Sequence, residues 1–228
     1  MAGETILSEA ICLAIRPWSR TSHVVEWLTP AGRITTLVKG AVRPKSAFLG
    51  QYDLNYTCEI LYYARARGDL HALRECAPLC RRDSLRGDYR ALALADYWRS
   101  SVRDMAPNGP ECEEWFCMLR DALDSLTSRA DVSSTDSLRR LIDFETGVLR
   151  LSGLSPNFEN SEENGFFQLR GERRIPVTED IMKCIRQPWD EKNIKILLDA
   201  TRVIGVFYIF HLDCAPDLRR TVLRMICN

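Results

Sequence analysis

Apolar residues in the first third of the chain come in short bursts. Runs over residues 6–15, 24–28, 33–38, 54–63 and 70–76 are separated by Pro17-Trp-Ser-Arg, Pro30-Ala-Gly, the 40–50 loop and Ala64-Arg-Ala-Arg-Gly-Asp. These are the lengths and turn residues of strands. In Thr57-Cys-Glu-Ile-Leu-Tyr the side-chain classes nearly alternate, as a half-buried strand requires. Five short strands with one longer middle connection suit a small closed barrel. Periodicity leaves an OB-fold and an SH3-like barrel equally open.

From residue 83 the apolar period lengthens to that of helices. One helix is expected over about 89–105, stopped by Pro107-Asn-Gly-Pro, and a second over 111–128 with Trp115, Met118, Leu119, Ala122, Leu123 and Leu126 on one stripe. A third starts from a Ser134 N-cap, carries Leu138, Leu141, Ile142, Val148 and Leu149, and ends at Ser152-Gly-Leu-Ser-Pro. Residues 155–176 are polar, contain glycine and read as an irregular excursion. Helices resume over 178–185 and 190–210, then from Pro216, well placed as a first helical residue. The fold class is therefore α+β and multidomain. A barrel occupies residues 1–80 and an all-α domain residues 81–228, with 155–176 as its excursion.

Charge sharpens this division. The whole chain balances 31 Lys+Arg against 31 Asp+Glu, which argues against a uniform nucleic-acid coat. Residues 1–82 nevertheless hold 11 basic and 7 acidic residues, a net of +4, leaving 20 against 24 and a net of −4 for the rest. An imbalance of this kind points to a basic face on the first half. The nine cysteines form no Cys-x-x-Cys pair and are expected as buried free thiols of a reducing cytoplasm. No charged-then-apolar leader opens the chain, and no run approaches the ~20 apolar residues of a membrane span. A cytoplasmic protein is the expectation.

The 40–50 loop holds the best candidates for binding phosphate. Lys39, Arg43 and Lys45 surround Pro44, which stiffens the segment and lowers the entropy lost on docking. Phe48 either offers a stacking face or tucks beneath the barrel. Arg65 and Arg67 stand at a hairpin tip, where charge also serves solubility, and Arg16 and Arg20 flank the first turn. Trp18 beside them stacks on a base or plugs the barrel. Arg219 and Arg220 open the last helix, as phosphate contacts or as a surface ion pair. Catalysis is not expected. His23, His71 and His211 have no nucleophile or carboxylate at a motif spacing, and the Gly-x-x-x-x-Gly-Lys-Ser/Thr phosphate loop is absent. Glu113-Glu114 and Glu162-Glu163 read as solvated pairs.

Three segments carry a resemblance to a known family. Lys39-Gly-Ala-Val-Arg-Pro-Lys-Ser-Ala-Phe is similar to the signature loop of RecO-family proteins. Arg65-Ala-Arg-Gly-Asp-Leu-His-Ala-Leu-Arg-Glu resembles their fourth-to-fifth strand hairpin. His211-Leu-Asp-Cys-Ala-Pro-Asp-Leu-Arg-Arg resembles the elements before their final helix. Their order and spacing fit across essentially the whole chain. The resemblance implies an N-terminal OB-fold joined to helices, binding of single- and double-stranded DNA, and annealing of complementary strands. It further implies work with RecR, contact with the acidic tail of single-strand-binding protein (SSB), indirect service to the recombinase RecA, and no catalytic residue. For the SSB tail the basic candidates are Arg139, Arg140 and Arg150. A protein- or RNA-binding OB adaptor is the competing reading.

In one respect the chain departs from the family. Many members carry two Cys-x-x-Cys pairs on the excursion and hold zinc there. In Pro156-Asn-Phe-Glu-Asn-Ser-Glu-Glu-Asn-Gly, Ser161 and Asn164 stand where the first pair would be. A closed zinc site needs four thiolate or imidazole ligands, so a metal-free excursion and no cofactor are expected.

Overall fold

Five strands, β1 (Thr5–Pro17), β2 (His23–Thr29), β3 (Gly32–Val38), β4 (Thr57–Tyr63) and β5 (Leu70–Cys80), close into a barrel in the order β1-β2-β3-β5-β4. They are followed by helices α1 (Tyr89–Met105), α2 (Cys112–Thr127) and α3 (Ser134–Leu151), a strand pair β6 (Phe166–Gln168) and β7 (Arg174–Pro176), and helices α4 (Glu179–Arg186), α5 (Ile194–Leu212) and α6 (Pro216–Cys227). This computed structural model describes residues 4–65, 68–109, 111–127, 133–156, 158, 166–168, 174–212 and 216–227. Two units are distinct: Met1–Gly87 with Val102–Ser128, and Asp88–Ser101 with Arg129–Asn228.

Closure of the barrel resolves the choice that periodicity left open. β1 is long and bulged between Cys12 and Ala14, so its first half pairs with β4 and its second with β2. β3 and β5 run parallel through Thr35–Leu37 and Leu70–Ala72, while every other neighbour in the barrel is antiparallel. That is the five-stranded Greek-key barrel of an OB-fold. Its interior is filled by Ala10, Cys12, Val25, Trp27, Cys58 and Ile60, all removed from solvent. The buried indole of Trp27 donates to Thr36 Oγ1 at 2.8 Å, which removes the cost of an unsatisfied N–H.

Two strand limits differ from the sequence expectation, each for a local reason. β4 begins at Thr57 instead of residue 54 because Asn55 takes a left-handed φ of 66° and the Tyr56 N–H turns back to the Asp53 carbonyl at 3.1 Å. β5 continues to Cys80 through Pro78, which pairs with Cys58 beside a register shift. β3 flanks only the first residues of β5, so on its other side Pro78 withholds no ladder hydrogen bond.

Behind the strands the first unit is tied together by Arg82, itself left-handed at φ 52°. Its buried guanidinium donates to the Asn55 carbonyl at 2.7 Å, to Thr57 Oγ1 at 2.9 Å, and to Asp124 on α2 at 2.7 Å. Helix α2 lies against β2 and β3.

In the second unit α3 packs on α4, α5 and α6. The N-cap of α3 is Ser133, not Ser134: Ser133 Oγ accepts from the Asp136 N–H at 3.1 Å, and of two adjacent serines only one can take that place. Helix α5 starts at Ile194, four residues later than expected. Glu191 Oε1 accepts the Lys192 and Asn193 N–H groups, and Asn193 Oδ1 accepts that of Lys195, so 190–193 form a turn. The excursion contains the antiparallel pair β6/β7, whose three-residue strands are too short to show a period. The described cysteines are free. Burial pushes the thiols of Cys112 and Cys184 up to about 11, and the hydrogen bond to Cys76, then burial, raises that of Cys58 far beyond the usual thiol range.

Candidate nucleic-acid interface

The β1–β2 turn and the β3–β4 loop meet at one end of the barrel. Trp18 and Ser19 N–H groups both turn back onto the Ser22 carbonyl, at 2.9 and 3.3 Å. The two segments are then joined directly: Val42 N–H donates to the Thr21 carbonyl at 3.2 Å and Gly40 N–H to Ser22 Oγ at 3.2 Å. Gly40 has a φ of 68°, and the aliphatic part of Arg43 lies over it, so a Cβ there would sit 3.3 Å from Arg43 Cδ. Between the segments is an open depression of about 460 Å³ lined by Trp18, Ser19, Thr21, Leu37, Lys39 and Arg43, among others.

Lys39, Arg43, Lys45 and Arg20 are all exposed, and among the described residues none has an ion-pair partner. Arg16 is exposed as well, but is paired with Glu26 at 2.7 Å. Arg65 is exposed, and its N–H donates to His71 Nδ1 at 3.2 Å, which ties the hairpin to β5. Arg67 lies outside the described residues, as do Ser161 and Asn164. The two aromatic candidates sort cleanly. Phe48 is half-buried against the barrel core, so it is a packing residue. Trp18 is 63% exposed and is no barrel plug, because Pro17 ends β1 and turns the next residue outward.

A second depression of about 330 Å³ lies on the β2–β3 face, lined by Glu26, Arg33, Thr35, Asp69, His71 and Asn108 among others. Its carboxylate Glu26 and its Arg33 both have partners. Glu26 faces both Arg16 and Arg103, and Arg33 donates to the Arg103 carbonyl.

The arginines of the second unit require a correction. Arg219, expected on the surface, is only 6% exposed. It donates to Glu145 Oε1 at 2.6 Å, to Glu145 Oε2 at 2.9 Å and to the Thr201 carbonyl at 2.8 Å. Tyr97 also donates to Glu145, at 2.7 Å, and its phenol is held well above the usual range by burial and by that carboxylate. Arg219 is therefore a core cation with no free face for phosphate. The missed signal was Gly205 inside an apolar helix: a Cβ there would meet Arg219 Nη1 at 2.2 Å. Arg220 is exposed and paired with Asp217 at 3.2 Å. Arg139 donates to the Glu191 carbonyl and to Asp136, and Arg140 is buried over the Trp189 ring. Arg150 is exposed.

A closed five-stranded OB barrel with basic loops at one end is followed in the chain by helices. Residues 1–80 match the family described as Recombination protein O N terminal. The chain is 33% identical over 173 residues to the DNA repair protein RecO of Rhodopirellula baltica, and 28% identical over 154 residues to that of Alkaliphilus metalliredigens. These alignments cover 72% and 67% of this chain and 60% of each relative, so the chain spans about three fifths of their length. The family match and both relatives support the RecO family for this chain. An Entamoeba histolytica asparaginyl-tRNA synthetase aligns over 78% of this chain and 41% of its own, at 12% identity and a TM-score of 0.30, a likeness too slight to bear on function. Among the described residues no helix is long and apolar enough to cross a membrane.

Proposed function

We propose that this protein is a non-catalytic, DNA-binding mediator of recombination in DNA repair. The barrel, taken as residues 1–80, holds the DNA at the junction of the β1–β2 turn and the β3–β4 loop. Lys39, Arg43 and Lys45 neutralise phosphates there, with Arg20 beside them and Arg65 and Arg67 extending the contact. The observation that carries the reading is that these cations come together at one end of the barrel, where they are exposed and without carboxylate partners among the described residues. The names of the two relatives, both DNA repair proteins RecO, support the process.

Neutralising two strands at once lets them approach and pair, so annealing needs exchangeable ionic contacts and no bond chemistry. In the same proposal the protein works in the bacterial cytoplasm, at the nucleoid, with RecR, on SSB-coated DNA, and so helps load RecA. The SSB tail meets the helical unit at Arg150.

The test is a titration of labelled single-stranded DNA at several salt concentrations, with wild type and the Lys39/Arg43/Lys45→Ala variant. The variant is expected to bind more weakly, with a log–log salt slope shallower by about 0.7 for each phosphate left without its cation. Unchanged binding would move the DNA elsewhere on the chain. A wild type that binds no DNA would leave a protein-binding adaptor as the better account, and equal affinity for matched RNA would make it a general single-strand binder.

A further inference from the structure

Of the tryptophans, Trp27, Trp98 and Trp115 are buried. Trp189 is half-exposed, but Arg140 covers its ring and its N–H faces Asp143. Trp18 differs: it is 63% exposed, and among the described residues no ring or cation packs on it. A large flat apolar side chain left in water on a stiff turn, beside two unpaired cations, is a poor arrangement for stability alone. It is a good one for taking the face of a base.

We propose that Trp18, Lys39 and Arg43 form a nucleotide subsite that admits only an unpaired base, which stacks on the Trp18 indole while Lys39 and Arg43 hold its phosphates. This rests on the DNA-binding reading above and adds a selectivity for single strands over duplex.

Three observations carry it. The indole, both cations and the hydroxyl-bearing Ser19, Thr21 and Ser22 line one depression of about 460 Å³, within the ~300–1,000 Å³ typical of small-ligand sites. The walls are fixed before any ligand arrives, because the Val42–Thr21 and Gly40–Ser22 hydrogen bonds staple the two segments together, so little ordering entropy is lost on binding. The depression is also open at the barrel end, where a strand can track across it. A base inside a duplex presents no free face, and extracting it costs energy that offsets the gain from one stack. Strand pairing would therefore withdraw the base from Trp18 and release the annealed product.

The experiment compares wild type, Trp18→Ala, Trp18→Phe and Lys39/Arg43→Ala, each titrated with single-stranded and duplex oligonucleotides of equal length. Trp18→Ala is expected to lose about 5- to 150-fold in single-strand affinity, with duplex affinity and salt slope unchanged. Trp18→Phe should recover most of that loss, while the part of the indole quenching caused by single strands disappears. Equal losses on both substrates, or no loss on single strands while Lys39/Arg43→Ala still weakens binding, would overturn the subsite and leave the DNA-binding reading standing. Failure of wild type to bind either oligonucleotide would overturn both.

Discussion

In the barrel loops Lys39, Arg43, Lys45 and Arg20 reach solvent with no carboxylate against them among the described residues. In the helical unit Arg219 is enclosed by Glu145, Tyr97 and the Thr201 carbonyl, Arg139 is held by Glu191 and Asp136, and Arg140 lies on Trp189. The residue types are alike, but their electrostatic situations are opposite. These three helical arginines have exchanged water for protein partners and hold the unit together. The loop cations keep their hydration and their charge, and contribute little to folding. A basic residue is available to phosphate only where the fold supplies no closer anion.

The contrast can be tested on one stability scale. Arg219→Ala should have the largest effect: it leaves Glu145 buried without its counter-charge, a loss of about 3–5 kcal/mol in chemical denaturation. A loss below ~1 kcal/mol would mean that water reaches Glu145 and that the pair is not interior. Gly205→Ala should follow at about 1–3 kcal/mol, because its Cβ meets the Arg219 guanidinium. The double variant should cost less than the sum of the two, since removing the guanidinium removes the clash. Gly40→Ala should cost about 1–2 kcal/mol through its left-handed backbone, and also weaken DNA binding by shifting Arg43. Lys39/Arg43/Lys45→Ala should change stability least, within ~0.5 kcal/mol, and its effect should fall on DNA affinity instead. A destabilisation comparable to that of Arg219→Ala would erase the distinction between the two regions.

A pH series sharpens the same comparison. Burial raises the Tyr97 phenol above its unfolded value, so folding favours the protonated form. That stabilisation is fully present below the unfolded pKa of about 10 and is lost as pH rises beyond it toward the folded value. The denaturation midpoint of wild type should fall above about pH 10, and Tyr97→Phe should show a shallower alkaline decline. An unchanged decline would assign it to other groups.

Much of the fold was legible in the sequence because local signals agreed with the tertiary result. The five bursts of apolar residues became β1–β5, and Pro216 began α6. Barrel type was not legible from periodicity, since it depends on the parallel pairing of Thr35–Leu37 with Leu70–Ala72, more than thirty residues apart. In the candidate site, Lys39, Arg43 and Lys45 stood out as a cluster on one loop. That Trp18 shares a depression with Lys39 and Arg43 depends on hydrogen bonds between Thr21–Ser22 and Gly40–Val42, which no local pattern announces. Arg219 was misplaced for a related reason: its partner Glu145 lies 74 residues away, and helix position says nothing about a buried carboxylate brought in from another helix.

The discontinuity of the first unit bears on how the chain is made. Asp124, which neutralises the buried Arg82, comes from Val102–Ser128, after the Asp88–Ser101 segment that belongs to the other unit. A ribosome adding about 5–20 residues per second needs roughly 6 to 26 s to polymerise the 128 residues that complete this unit. Until β5 has emerged the nascent sheet has open edges, the feature that invites pairing with a neighbouring polypeptide. Nascent chains stalled before residue 80 should therefore be the species that a chaperone must shield.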